Sequence, residues 1–139
     1  MTSERIFEEI CRICADLFDK APTELHQDTG LFSELGAESI DLLELDLAIS
    51  RKLNLSMDDE RAFLRLLRLE AVRLEGALKR DRKALASALA EEYPHLRLSR
   101  LESLIRWALS DDPVHPLTVG DILDYLVHLS QNAAPPGNE

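Results

Sequence analysis

Apolar residues recur at helical spacing along almost the whole chain, and no run alternates apolar with polar residues as a half-buried strand does. That pattern predicts an all-α fold for the 139 residues. Leu, Ala, Glu and Arg, all good helix formers, dominate, and glycine occurs five times. The length fits one domain of ordinary size, or a small domain with a large insertion. An apolar share of 45% is enough to bury a core.

Residues 3–18 are expected as the first helix, with Ile6, Phe7, Ile10, Ile13, Cys14, Leu17 and Phe18 on one face and Ser3 as its cap. Cys11 and Cys14 form a Cys-x-x-Cys without a second pair or a strand-turn setting, so they read as small core residues. Residues 19–38 are a long connection anchored by Leu25, Leu31, Phe32 and Leu35. A second helix follows over 39–54. Ser56-x-x-Asp59 is expected to open a third, running to about 79. Its apolar residues cover more than half the circumference, which predicts burial on two sides or a bend. A charged turn at 79–83 and a short helix over 84–92 come next, stopped by Pro94. Ser99-Arg100-Leu101-Glu102 has capping-box spacing for a helix to about 109, and Thr118-x-x-Asp121 is expected to cap the last. Ala133–Glu139 is expected as a disordered tail.

Charge is unevenly placed within a net of −10. Residues 1–60 hold 15 acids and 5 bases, residues 61–116 hold 8 acids and 11 bases, and residues 117–139 hold three acids and no base. The acidic outer parts argue against a nucleic-acid partner and for basic protein surfaces. No run has the ~20 apolar residues of a membrane span, and the N-terminus lacks a signal-peptide pattern. Two cysteines suit a reducing cytoplasm. The four histidines are scattered, so no metal site is expected, and no catalytic set is legible.

The central stretch is Leu35-Gly36-Ala37-Glu38-Ser39-Ile40-Asp41-Leu42-Leu43-Glu44-Leu45. Gly36 permits a bend, Ser39 stands where the helix begins, and Asp41 and Glu44 favour the positive end of its dipole. On pattern alone Ser39 reads first as an N-cap. The stretch resembles the phosphopantetheine attachment motif of acyl carrier proteins, with Glu38-Ser39-Ile40 where the family has Asp-Ser-Leu. Leu117-Thr118-Val119-Gly120-Asp121-Ile122-Leu123-Asp124-Tyr125-Leu126 is similar to the family's last helix.

The resemblance implies an acyl-carrier-like helical bundle in one domain over 1–132. Its core would be 3–56 and 117–130, with a helical insertion at about 57–116. It implies 4′-phosphopantetheine, donated by coenzyme A, on Ser39, carrying acyl groups as thioesters without catalysis by the chain itself. Glu38, Asp41 and Glu44, with Leu43 and Leu47, match the positions that meet a phosphopantetheinyl transferase and the basic docking surfaces of lipid-synthesis enzymes. Ser50, Arg51 and Lys52 depart from the acidic continuation of the family helix. The long insertion is similar to that of specialised carriers of very-long-chain or unusual fatty acids. An aminoacyl or polyketide carrier and an unmodified helical interaction module are the alternatives. Phe63, Leu66, Leu67, Leu104, Ile105 and Trp107 would either line a pocket for a long chain or simply pack the extra helices. A carrier that visits many enzymes is expected as a monomer.

Overall fold

The computed structural model describes residues 1–132, and the expected tail at 133–139 lies outside them. The described residues form α1 (Ser3–Phe18), α2 (Ser39–Leu53), α3 (Asp59–Ala62), α4 (Leu67–Ala77), α5 (Arg82–Glu92), α6 (Leu98–Ala108) and α7 (Val119–Asn132). The architecture is all-α. A 3-10 turn, Pro22–Glu24, lies in the connection between α1 and α2.

Helix α1 packs against both α2 and α7, so the two ends of the chain share one bundle. Helices α4, α5 and α6 pack on one another, and α3 rests on α7. One apolar core runs through both groups, from Ile6, Ile10, Leu45 and Ile49 to Phe63, Leu67, Leu89 and Leu104. Burial of this kind contributes about 25 cal/mol per Å² of apolar surface and is what selects the amphipathic faces. Phe63, Leu67, Leu104 and Ile105 are buried against neighbouring helices, whereas Leu66 is exposed.

Several helix starts differ from the sequence expectation by one or two residues. Thr2, not Ser3, caps α1, its hydroxyl accepting from the Arg5 N–H at 3.2 Å. Asp58, rather than Ser56, caps α3 through the Glu60 N–H. Arg97 stands at the N-cap of α6, so Ser99 lies inside the helix and no capping box forms there. Asp81 accepts from Lys83 and Ala84 and starts α5 two residues early, inside the charged turn.

The third helix is not continuous. It breaks at Phe63–Leu66, where Leu64 adopts a left-handed backbone (φ 54°). That conformation costs a branched residue about 1–2 kcal/mol. It persists because Leu64 is fully buried and its carbonyl accepts from His115 Nε2 at 2.9 Å. The other ring nitrogen, Nδ1, accepts from the Leu117 N–H at 3.1 Å, so the neutral imidazole ties two distant turns. Burial pushes this histidine below its ordinary pKa. Its ring packs at a tilt against Phe32, from the loop before α2, and against Trp107 of α6, with ring centroids 5.6 and 4.8 Å away.

Arg68 joins α4 to the end of α6. It donates to the carbonyls of Ala108 and Ser110 at 3.2 and 2.7 Å and lies 4.4 Å above the Trp107 ring. A cation at the negative end of a helix and over an indole face is favourable on both counts. Arg61 bridges α3 to Glu92 of α5, and Tyr93 donates to Glu70 at 2.6 Å.

Candidate functional site

The serine singled out by sequence sits at the end of a loop held at several points. Leu25 and Leu31 bury their side chains as anchors. Backbone bonds then zip the loop to the start of α7. Leu31 N donates to Leu117 O at 2.9 Å, Val119 N to Thr29 O at 3.0 Å, and Gly120 N to Gln27 O at 2.7 Å. A Cβ on Gly120 would stand 2.8 Å from the Gln27 carbonyl, so only glycine allows this approach. Beyond the zipper the loop turns back on itself, with Ala37 N bonded to Leu31 O at 2.9 Å. Gly36 supplies the left-handed residue of that turn (φ 67°).

Glu38 then takes an extended conformation as the N-cap of α2, and Ser39 is the first helical residue. The Glu38 N–H donates to the Asp41 carboxylate at 2.8 Å. Ser39 is therefore not the cap: capping is done by its neighbours, and its side chain is exposed. Ser39 opens a helix whose first N–H groups lack intrahelical partners and suit a phosphate.

Helix α2 has two unlike faces. Leu42, Leu45, Ile49 and Leu53 are buried. On the outer side Ile40, Leu43 and Leu47 remain 62, 55 and 50% exposed, beside exposed Glu38 and Glu44. Asp41 is half-buried by its capping bond. The structure thus brings the six expected site residues to one end and one side of a single helix. Ile40 was not among them. Its spacing of three and seven residues from Leu43 and Leu47 was the available signal.

A second missed residue is Glu9 of α1, 3% exposed. It is held by Arg12 at 2.9 Å, Arg5 at 3.8 Å and Lys52 at 3.9 Å. Lys52 thus reaches from the basic end of α2 to a buried carboxylate on α1, which gives it a structural partner within the chain. Glu9, Lys52, Ile13, Leu17, Glu44 and Ala48 are among the residues that line an open groove between the two helices. Cys11 and Cys14 are free and buried, and burial, with the neighbouring sulfur second, pushes the Cys14 thiol up to about 12. A thiol so placed is a packing group rather than a nucleophile. Among the described residues no cluster of three His, Cys, Asp or Glu side chains is arranged to hold a metal ion. Among them, too, no helix is long and apolar enough to cross a membrane.

The family model for the phosphopantetheine attachment site matches residues 8–71, which include the loop, Ser39 and α2. Among similar curated proteins is the acyl carrier protein of Wolinella succinogenes, 32% identical over 57 residues, or 41% of this chain and 75% of that protein. The acyl carrier protein of Clostridium acetobutylicum is 33% identical over 57 residues, covering 41% and 74%. That of Prochlorococcus marinus is 29% identical over 62 residues, covering 45% and 78%. No solved structure matches the chain significantly. These relatives, three quarters of whose length aligns with this chain, establish that it belongs to the acyl carrier protein family, a carrier that works through 4′-phosphopantetheine and not a catalyst.

Proposed function

We propose that Ser39 is the residue that bears the 4′-phosphopantetheine arm, and that the chain carries long-chain or otherwise unusual acyl groups in fatty acid or lipid synthesis. The observation that carries the attachment is the division of labour at the start of α2. Glu38 and Asp41 cap the helix, leaving the exposed Ser39 hydroxyl open to modification. A phosphodiester there meets unbonded N–H groups and the positive end of the helix dipole. The Glu38 N–H is taken by the Asp41 carboxylate and the Asp41 and Leu42 N–H groups by the Glu38 carbonyl, so the amides of Ser39 and Ile40 are the ones to receive it. Once attached, the arm's thiol holds an acyl group as a thioester, and the tether raises its effective concentration at successive partners.

Partner recognition falls to the outer face of α2. Glu38, Asp41 and Glu44 attract basic docking surfaces, which acts mainly on the rate of encounter. Leu43 and Leu47, joined by Ile40, supply the apolar contact. A phosphopantetheinyl transferase and enzymes of acyl transfer are the partners this face fits. A monomer in the cytoplasm suits such traffic.

The carrier core in this reading is 3–56 with 117–130, and 57–116 is an insertion. Packing of α7 against α1 supports it, as does the separate cluster of α4, α5 and α6. Residues 57–71 lie inside the family match as well, so the added material is concentrated from the second half of α4 onward. The size of this addition, relative to a minimal carrier, supports a specialised cargo.

The test is intact mass after incubation with coenzyme A, magnesium and a broad-specificity phosphopantetheinyl transferase. The wild type gains one phosphopantetheine and Ser39→Ala gains none. A folded wild type that stays unmodified while a known carrier reacts in parallel refutes the attachment. The masses of acyl species recovered from cells then identify the cargo, and aminoacyl or polyketide groups would overturn the fatty acyl reading.

A further inference from the structure

Helices α5 and α6 form a hairpin whose connection is only residues 93–97. Their outer sides leave an open groove of about 690 Å³, lined by Arg82, Lys83, Ala86, Ser87 and Ala90 of α5 and Leu98, Glu102, Ile105 and Arg106 of α6. The antiparallel hairpin gives the groove two unlike ends. The start of α5 and the end of α6 meet at one end, bringing Arg82, Lys83 and Arg106 together. At the other end Ala90 faces Leu98, which is 63% exposed despite its size. Arg82 holds Glu75 of α4 at 3.6 Å. Lys83 and Arg106 form no ion pair among the described residues.

From this we infer that the α5–α6 groove binds a free fatty acid, its carboxylate at the Arg82–Lys83–Arg106 end and its alkyl chain along Ala86, Ala90, Ile105 and Leu98. Three cations gathered at one end complement a single anionic head, and Ala86, Ala90, Ile105 and Leu98 give the tail an apolar wall beside Ser87 and Glu102. An acidic helix from a protein partner fits less well, because its charges would be spread along the groove and would meet Glu102 midway. An acyl thioester on the arm has no anionic head to use the cations. At 1.5 Å per residue the lining from Arg82 to Ala90 of α5 gives a groove about 12 Å long, which covers about ten carbons of an extended chain. The site shares none of its lining residues with α2, so it does not depend on modification at Ser39.

The experiment uses the full chain without the arm and sodium dodecanoate below its micelle concentration. Calorimetry and amide NMR shifts follow the titration. Dodecyl maltoside and dodecyltrimethylammonium serve as neutral and cationic heads on the same tail. The expected result is saturable 1:1 binding of dodecanoate, with shifts centred on α5 and α6. A Lys83→Glu, Arg106→Glu double variant, changed only at exposed positions, should weaken it at least tenfold. Ala90→Phe, which fills the tail end, should weaken all three amphiphiles alike. Unchanged circular dichroism and unchanged α2 amide shifts show that both variants fold. Equal binding of all three heads, insensitivity to charge reversal, shifts centred elsewhere, or no saturable binding would each overturn the inference.

Discussion

The starts of α2 and α7 carry the same local chemistry and meet opposite fates. Each has a carboxylate three residues into the motif that accepts from a backbone N–H at its head, Asp41 from Glu38 at 2.8 Å and Asp121 from Thr118 at 3.0 Å. At α7 the hydroxyl is the cap itself, since Thr118 Oγ1 accepts from Asp121 N at 3.2 Å. Asp121 is then buried and gripped by Arg100 of α6 at 2.7 and 2.9 Å, and Arg100 also donates to Pro116 O. At α2 the hydroxyl lies one residue inside the helix, outside the cap, and faces solvent. A hydroxyl at a helix start is a fastener or a handle according to a one-residue offset and to what packs over it.

The largest expected effect breaks the closed end. Asp121→Ala leaves the half-buried Arg100 guanidinium without its carboxylate and removes a cap, and should cost about 3 kcal/mol, measured by urea unfolding. An effect under a third of that would mean that the Arg100 pair does little to close α7.

The next concerns pH. His95 lies edge-on to Tyr125 of α7, with ring centroids 5.3 Å apart, and burial, with His128 second, holds its imidazole down to about 4 from 6.5. Between those values the unfolded chain binds more protons than the folded one. Stability is therefore full above about 6.5 and is lost as pH falls toward 4. His95→Phe should flatten that slope in unfolding curves taken across the window. A variant with the wild-type slope would assign the pH dependence to another group.

The smallest effect sharpens the comparison directly. Thr118→Ala should cost about 1 kcal/mol, as loss of a hydroxyl cap does. Ser39→Ala should change stability by less than about 0.5 kcal/mol, as surface substitutions do. Equal costs for the two would mean that Ser39 is a cap after all.

Much of this was legible in residues close together along the chain. The bounds of α1 and the Thr118–Asp121 box follow from spacing alone, because helix period and capping act over three or four residues, whereas Leu43 and Leu47 were singled out only by the family resemblance. The break between α3 and α4 was legible only as a helix too apolar to be straight. Its position depends on His115, 51 residues beyond Leu64. The true caps at Thr2 and Asp58 lay within two residues of the expected ones, since neighbouring Ser, Thr and Asp side chains compete for the same N–H groups, while α6 starts after Arg97 with no side-chain cap bond.

The sequence by itself determined an all-helical chain, a serine at the head of an acidic helix and a family motif around it, because each rests on local periodicity and local hydrogen bonding. Only the tertiary structure decided that Ser39 is free while Thr118 is bound, and that Lys52 pairs with Glu9. Only it placed Arg82, Lys83 and Arg106 at one end of a groove. The reason is physical. Burial and long-range pairing depend on which surfaces meet, and nothing in the local spacing of Arg100 or Glu9 says what will face it.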